Sequence, residues 1–255
     1  MSAITAPPTP MLATCNTRSL IQAIRIALPA VDGDRGRYSL NQIHWRFSGG
    51  TLTIEATDSR TAHLVTLPYV STDVDDVEFL MNVDDARKMI AKSPGDDDGS
   101  ITLEVFYEHG EDDPSYRVSV ERKRYKGGFI GHQFTGHAGR FPKIADVIPD
   151  DVGTATLSGT ADALIEFLTP NPRHTLTISG NKATLSTNDE NLGNVRCEGA
   201  STQLINTKHA LQFLLTLKPK TAVVLSTYET LAVIRPTFPS NESAVCVFMK
   251  IVVQD

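Results

Sequence analysis

Long apolar runs, paired cysteines and an excess of basic residues are all missing from this sequence of 255 residues, and each absence excludes a class of protein. No segment approaches the roughly 18 consecutive apolar residues of a membrane-spanning helix. The three cysteines, Cys15, Cys197 and Cys246, are far apart and show no CxxC spacing. Neither a disulfide framework nor a structural zinc site is therefore expected, and a reducing cytoplasm fits best. The N-terminus has no basic flank before an apolar stretch, so 1–11 is predicted to be a disordered tail and not a secretory signal.

Motifs for catalysis and nucleotide binding are also missing. The sequence contains no GxSxG elbow, no GxxxxGK[ST] loop and no GxGxxG after a predicted strand. His132 and His137 form the one cluster that suggests a metal, but they lie in a glycine-rich segment without a nearby cysteine or an HExxH pattern, so we interpret them as loop residues. We expect no metal site, no cofactor and no catalytic activity. An unrelated α+β enzyme would be favoured only by metal binding or substrate turnover.

The charge balance is acidic, with 24 basic against 30 acidic residues and a net charge of −6. A simple basic nucleic-acid-binding protein has the opposite sign. However, a protein can segregate its charges between faces, so the net charge does not exclude a nucleic-acid partner. The acidic residues cluster at 73–78, 96–98 and 111–113, and basic residues cluster at 122–126. We interpret these runs as solvated loops.

Two pairs of segments recur in the same order along the chain. Residues 48–59 (SGGTLTIEATDS) match 179–190 (SGNKATLSTNDE), and 80–86 (LMNVDDA) match 204–210 (LINTKHA). Recurrence at this long interval predicts a duplicated domain of about 120 residues and not a solenoid. We place the boundary after a glycine-rich stretch, which gives one domain over 12–139 and a second over 140–255.

Each predicted domain repeats one unit twice, a strand followed by a helix and three strands. Helices are predicted at 17–28, 83–92, 160–169 and 207–217. In the first, Thr17 is the predicted N-cap, and Leu20, Ile21, Ile24 and Leu28 fall on one apolar face. The strands of the second domain are predicted at 153–158, 174–179, 182–188, 194–200, 202–205, 221–228, 231–236 and 243–252. Four helices among many antiparallel strands indicate an α+β architecture.

Four short segments resemble, in the correct order, segments of the bacterial sliding clamp, the β subunit of DNA polymerase III. They are 56–60 (ATDSR), 141–149 (FPKIADVIP), 205–208 (INTK) and 247–251 (VFMKI). The resemblance covers nearly the whole chain after residue 12 and implies two tandem sliding-clamp domains, each a duplicated strand–helix–three-strand unit. That family has three domains per chain and closes as a dimer. This chain matches the last two domains, so a six-domain ring would be a homotrimer.

The resemblance implies that the helices line a central hole and present cations to the phosphates of duplex DNA, without reading its sequence. Helix 160–169 departs from this pattern because it carries Asp162 and Glu166. The candidate DNA-binding residues are Arg18, Arg25, Arg87, Lys88, Lys92, Lys208, Lys218 and Lys220.

The resemblance also implies a hydrophobic cleft between the two domains that takes short peptides from polymerases and loaders. Carried over position by position, its wall comprises Arg60, Ala62, Pro142, Val147, Leu231, Val247, Met249 and Ile251. Arg60 and Ala62 stand where the family has His or Tyr and Leu, and Lys250 stands where it usually has proline. These departures leave the peptide preference open. Pro142 and Met249 are the preferred wall residues.

The expected function is therefore a sliding-clamp-like processivity factor without catalytic activity, acting in the cytoplasm in association with the nucleoid. Its implied partners are double-stranded DNA, a replicative DNA polymerase, an ATP-driven clamp loader and further copies of itself, with no membrane. The alternative is a clamp relative that binds or competes for clamp-interacting partners without forming a ring. The acidic surface and the acidic helix 160–169 motivate that alternative.

Overall fold

The computed structural model describes most of the chain. The described residues are 10–34, 36, 40–71, 76–92, 99–108, 115–123, 129–151, 153–169, 174–180, 182–185, 195–238 and 242–249. Within these ranges, no helix has both the length and the apolar character needed to cross a membrane.

The N-terminal half contains two helices and nine strands among its described residues. Its elements are β1 (Met11–Asn16), α1 (Thr17–Ala27), β2 (Gln42–Ser48), β3 (Thr51–Thr57), β4 (Thr61–Pro68), β5 (Val70–Ser71), β6 (Val77–Asn82), α2 (Val83–Lys92), β7 (Ser100–Glu108), β8 (Ser115–Lys123) and β9 (Phe129–His137). Strand β1 begins at Met11, the last residue of the predicted tail, and the Met11 side chain is buried.

The C-terminal half follows a linker with one 3₁₀ turn, Ile144–Val147, and has a similar order of elements, with seven strands in place of nine among its described residues. They are β10 (Ala155–Thr160), α3 (Ala161–Leu168), β11 (His174–Ser179), β12 (Lys182–Leu185), β13 (Arg196–Ile205), α4 (Thr207–Leu214), β14 (Ala222–Thr227), β15 (Leu231–Thr237) and β16 (Ser243–Met249). The predicted unit of a strand, a helix and three strands is therefore present in both halves. The segment 250–252, predicted as strand, lies outside the described residues.

Helix α1 begins at Thr17 and is capped by Asn16, whereas the sequence predicted Thr17 as the N-cap. The side chain of Asn16 accepts a hydrogen bond from the backbone N–H of Ser19 at 3.0 Å, which satisfies a donor that the first helical turn leaves open. The prediction of Thr17 as N-cap was wrong, because Thr17 is already helical and is buried. On the predicted apolar face, Leu20, Ile21 and Ile24 are fully buried, whereas Leu28, just after the helix, is partly buried.

Strand β13 is continuous, whereas the sequence predicted separate strands at 194–200 and 202–205. Its first part, Arg196 to Gly199, pairs with β10, and the remainder pairs with β11. Gly199 lies between the two parts with φ +87°, and a Cβ on it would lie 2.4 Å from the carbonyl oxygen of Thr154. Only glycine fits this backbone conformation and this close approach. The strand thus changes partners at Gly199 without ending.

A single antiparallel sheet order connects the two halves. It runs β12-β11-β13-β10-β14-β15-β16-β4-β3-β2-β6-β9-β8-β7-β1-β5. The halves meet where β16 pairs with β4, in a register that places Ser243 opposite Thr66 and Phe248 opposite Thr61. Residues of the C-terminal half thereby continue the sheet of the N-terminal half across the junction.

Aromatic side chains fill the core of the N-terminal half. The ring of Phe79 lies 5.9 Å from that of Trp45, 6.2 Å from that of Phe47 and 6.1 Å from that of Phe134, measured between ring centroids. Trp45, Phe47 and Phe79 are almost completely buried. These rings come from β2, β6 and β9, so the cluster ties three strands of the sheet together.

On the helix side of the junction, His63 of β4 packs between helices from both halves. Its Nδ1–H donates to the carbonyl oxygen of Ile26 in α1 at 2.6 Å, and its ring meets that of Phe213 in α4 edge-on at 5.0 Å. Complete burial lowers the pKa of His63 to about 4, although the Ile26 carbonyl and the charge of Asp58 oppose the shift. The imidazole is therefore neutral in the folded protein at neutral pH.

This burial predicts a loss of stability in mild acid. Below pH 6.5 the unfolded chain protonates His63 while the folded chain does not, so the free energy of unfolding falls with pH until about pH 4. A shift of this size corresponds to about 3 kcal/mol over that interval. Urea unfolding at a series of pH values should show this slope in the wild type and a shallower slope in His63→Gln. Identical slopes in both proteins would contradict the prediction.

Candidate peptide-binding cleft and nucleic-acid interface

A cleft of about 420 Å³ lies at the junction of the two halves, on the face of the sheet opposite the helices. It is formed by segments far apart in sequence: the start of β4, the linker, the β14–β15 turn and β16. The residues predicted for the cleft that line it are Arg60, Ala62, Pro142, Val147, Leu231, Val247 and Met249. Ile251, the remaining predicted wall residue, lies outside the described residues.

Strand alternation explains why these side chains share one face. Ala62 and Val247 are opposite each other in the β4–β16 register, and both line the cleft. Their neighbours His63 and Cys246 are likewise opposite each other and are completely or almost completely buried on the helix side. Because successive side chains of a strand point to opposite faces, the two strands contribute one set of residues to the cleft and the other to the core.

The linker forms the second wall and is fixed by a small apolar cluster. Ile144 packs with Ala62 and Leu64 of β4, and Phe141 and Ile148 cover this group. The ring of Phe141 also stacks on His44 at 4.9 Å between centroids. These contacts hold the linker against the sheet, so its 3₁₀ turn presents Val147 to the cleft.

His44, on which Phe141 stacks, lies close to two carboxylates. His44 Nδ1 lies 2.7 Å from Glu55 Oε1, and its Nε2 lies 3.6 Å from Glu78 Oε2. His44 and Glu55 are buried, whereas the side chain of Glu78 is largely exposed. The buried pair fixes the orientation of the imidazole, which in turn positions the first residue of the linker.

The mouth of the cleft exposes apolar side chains. Met249 is 56% exposed and Val147 is 52% exposed, although both are large hydrophobic residues. An exposed apolar cleft at a junction of two units is typical of a binding site. Flexible methionine beside aliphatic residues suits a groove that accepts short peptides.

The predicted DNA-binding cations lie on the helices and beside them, and the structure brings three of them together. Arg18, Lys218 and Lys220 line a second cavity of about 640 Å³ between α1 and the segment after α4. Gln22 of α1 donates to the carbonyl oxygen of Thr216 at 2.5 Å, which joins the two halves beside that cavity. Arg25 and Lys208 are exposed on α1 and α4.

The three cations of α2 have polar partners. Arg87 forms an ion pair with Asp84 at 3.3 Å, and Lys88 forms one with Asp85 at 2.9 Å. Lys92 Nζ lies 3.4 Å from Nδ1 of His132 on β9. The ion pairs reduce the positive charge that α2 presents to a polyanion. On α3, Asp162 and Glu166 are exposed.

Solved structures supply a comparison for this geometry. The chain superposes on the DNA polymerase III β subunit of Thermotoga maritima with a TM-score of 0.75 at 17% identity, covering 100% of this chain and 69% of that one. The corresponding subunit of Borrelia burgdorferi gives 0.73 at 12% identity, with 100% and 67% covered. The β chain of Streptococcus pneumoniae gives 0.72 at 16% identity, with 99% and 67% covered. The chain has the sliding-clamp fold.

The clamp fold extends over the whole chain, which spans about two thirds of the length of these neighbours. No protein-family model and no curated protein sequence matches the chain at a significant level. The structural comparison therefore confirms the α+β architecture with two clamp-type domains that the sequence predicted. At identities of 12 to 17%, the comparison shows the fold alone.

His132 and His137 occupy a strand of this clamp fold, so their assignment to a loop was wrong. Both lie in β9, paired with Val120 and Ser115 respectively. Their separation of five residues sends their side chains to opposite faces of the strand. In the described part of the chain, no group of three or more His, Cys, Asp or Glu residues could hold a metal ion.

One of the glycines that suggested a loop around these histidines, Gly136, has a packing role. A Cβ on Gly136 would lie 2.7 Å from the ring of Phe79, so glycine allows the strand to lie against the aromatic cluster.

Several cleft residues were not predicted from the sequence. Leu40, Lys143, Ile144 and Thr230 line the cleft together with Thr57, Ser59 and Thr61. Lys143 and Ile144 lie inside segment 141–149, which resembles the clamp family, so the resemblance could have predicted them as cleft residues. Leu40 and Thr230 have no such signal, because only the folded arrangement brings the chain before β2 and the β14–β15 turn to the cleft.

Proposed function

We propose that this chain is a DNA polymerase processivity factor that encircles duplex DNA and holds peptides of a polymerase or clamp loader in the cleft. The observation that carries the proposal is the convergence of seven residues, which the family resemblance implies position by position, on one apolar cleft at the junction. The proposed action is binding, without a chemical step. Its setting is the cytoplasm, in association with the nucleoid.

The cleft supports the peptide-binding part of the proposal. Its walls are largely aliphatic, its mouth is open, and two of its apolar side chains are more than half exposed. A short peptide that buries these side chains would gain free energy at a small cost in ordering the protein, since the β4–β16 ladder and the linker cluster already hold the walls in place.

The cations support the DNA-binding part. Arg18, Arg25, Lys208, Lys218 and Lys220 lie on or beside helices α1 and α4, which flank the junction on the side opposite the cleft. Contacts from such residues to phosphates are independent of sequence and sensitive to salt, as a protein that slides along DNA requires.

The architecture supports a homotrimeric ring. A six-domain ring needs three chains of two clamp-type domains, joined head to tail. Within the described residues, β9 pairs with β8 along its length but with β6 only at Leu80 and Met81, which leaves most of its other edge for a neighbouring subunit. A closed ring cannot thread circular DNA unaided, so the proposal includes an ATP-driven loader.

Solution mass and DNA retention test the ring directly. Light scattering after gel filtration, at two protein concentrations, should give three times 27.8 kDa, about 83 kDa. Protein loaded on nicked circular duplex should remain bound at moderate salt and be released when the circle is cut. A mass near 28 kDa at both concentrations would exclude an autonomous ring.

A clamp relative that does not form a ring is the second candidate, favoured by the charges of two helices. Exposed Asp162 and Glu166 on α3 would repel phosphates, and the ion pairs of Arg87 and Lys88 weaken the attraction of α2. Such a protein would keep the cleft and bind or compete for clamp-interacting partners. A monomeric mass together with peptide binding would identify it.

A further inference from the structure

The cavity on the helix side of the junction is separate from the peptide cleft. Its volume of about 640 Å³ is within the range of small-molecule sites. The first turns of α1 form one wall, and the segment after α4 with the adjoining ends of β14 and β15 forms the other, so both halves of the chain contribute. The cavity shares no lining residue with the cleft, and β16 begins beside the cavity and ends at the cleft.

The cavity has apolar inner walls and a cationic rim. Leu217 is buried, and the half-buried ring of Phe238 packs against the hydrophobic core. Lys218 and Lys220 are exposed, and half-buried Arg18 lies on the opposite wall, in α1. A ligand that fills such a site needs an apolar body for the walls and an anionic group for the rim.

Backbone hydrogen bonds fix the turn that carries the two lysines. The N–H of Thr221 donates to the carbonyl oxygen of Lys218 at 2.9 Å. The N–H of Ala161 in α3 donates to the carbonyl oxygen of Thr221 at 2.9 Å, and the next N–H of that helix donates to the carbonyl oxygen of Pro219 at 3.1 Å. The turn is thus anchored to α3, so the positions from which both lysines extend are set before a ligand binds.

Two hydrogen bonds hold α1 against the C-terminal half beside the cavity. Gln22 Nε2 donates to the carbonyl oxygen of Thr216 at 2.5 Å. Ser19 Oγ donates to the carboxylate of Glu242, which precedes β16. Because both bonds cross the junction, they fix the distance between the two walls of the cavity.

The charge of the lining is positive. Three cations, one on α1 and two on the turn after α4, stand against one carboxylate, that of Glu242. Outside the lining, Asp162 lies near Lys220: its pKa is lowered by a hydrogen bond from Thr160 and, to a lesser extent, by the charge of Lys220. Even when both carboxylates are counted, the cations are in excess, and their potential favours an anion.

We infer that this cavity is a second ligand site, which binds a small amphipathic anion: an aromatic or aliphatic body with one sulfonate, phosphate or carboxylate group. Duplex DNA would meet the same cations only at the rim, because a rigid double helix is too wide to enter a cavity of this volume. The apolar walls therefore distinguish a small ligand from DNA. The inference goes beyond the proposed function and does not depend on the cleft.

Two dyes with the same ring system test the site with the full chain. 1-Anilinonaphthalene-8-sulfonate carries an anionic group, N-phenyl-1-naphthylamine lacks it, and both gain fluorescence when they leave water. In the double variant Lys218→Gln, Lys220→Gln, the affinity for the sulfonate dye should fall about fivefold, whereas the affinity for the neutral dye should change less than about twofold. Phe238→Ala should weaken the binding of both dyes, because it removes part of the apolar wall.

The matched control is Arg46→Gln with Arg196→Gln, since both arginines are exposed on strands outside the cavity. This variant also loses two positive charges but should bind both dyes as the wild type does, and urea unfolding of every variant checks that it is folded. An equal fall in both double variants would assign the effect to net charge and overturn the inference. Unchanged sulfonate-dye binding in the lysine variant, or no saturable binding to the wild type, would also overturn it. Loss of the dye in Met249→Ala would place it in the cleft, with the same consequence.

Discussion

Alanine at both Met249 and Val147 is expected to lower the affinity for a short apolar peptide bound in the cleft by about 100-fold, since each truncation removes about 1.5 kcal/mol of apolar burial in the complex. Both side chains are more than half exposed in the free protein, so most of their surface is still available to a ligand. For the same reason their truncation should hardly change the stability of the fold. Anisotropy titrations measure the affinity, and urea unfolding of the same samples measures the stability.

The control for this variant is an exposed apolar residue elsewhere. Val70, 76% exposed at the far edge of the sheet, can be replaced by alanine without touching the cleft. Val70→Ala should bind the peptide as the wild type does. If the double variant retained wild-type affinity, the peptide would be bound at another surface, and the cleft would lose its proposed role.

The largest expected effect on stability comes from Phe79→Ala, which should lower the free energy of unfolding by about 3 to 5 kcal/mol. Phe79 is 1% exposed and contacts Trp45, Phe47 and Phe134, so its removal leaves a cavity among rings from two other strands. Trp45 is the single tryptophan of the chain and stacks on Phe79. Its fluorescence during urea unfolding therefore reports on the site of the substitution.

Leu215→Ala is the matched control for this loss. Leu215 is also a large apolar residue, but it is 68% exposed after the end of α4. Its truncation should change the free energy of unfolding by less than about 0.5 kcal/mol. A loss below about 1 kcal/mol for Phe79→Ala would mean that the aromatic cluster repacks around the missing ring.

Local sequence patterns were sufficient for most elements of this fold. Helix α2 spans Val83–Lys92, as predicted, and β11 likewise matches its predicted range, 174–179. The errors arose where a tertiary contact decides the local structure. Gly199 allows one strand to serve two partners, and Gly136 makes room for Phe79, whereas glycine in a sequence otherwise suggests a break. The N-cap at Asn16 was within reach of the sequence, because asparagine is at least as good a cap as the threonine after it.

For the candidate site, short motifs predicted which segments converge but not every residue that they contribute. Ala62 and Val247 follow from recognised motifs on two strands, and the β4–β16 register places them opposite each other. The ion pairs of Arg87 and Lys88 could have been inferred from acidic residues three positions earlier, since side chains at that spacing are neighbours on a helix. The position of Leu40 at the cleft depends on the folded path of the chain and has no local signature.

The β4–β16 ladder also sets the order of events during synthesis. Its partners Thr66 and Ser243 are 177 residues apart, so at about 5 to 20 residues per second the ribosome needs about 9 to 35 seconds to produce the second strand after the first. Throughout that interval the nascent N-terminal half presents an unpaired strand, to which a neighbouring chain on the same messenger could add. The cleft and the enclosure of His63 therefore form only in the finished polypeptide, and premature termination before β16 would leave β4 without this partner strand.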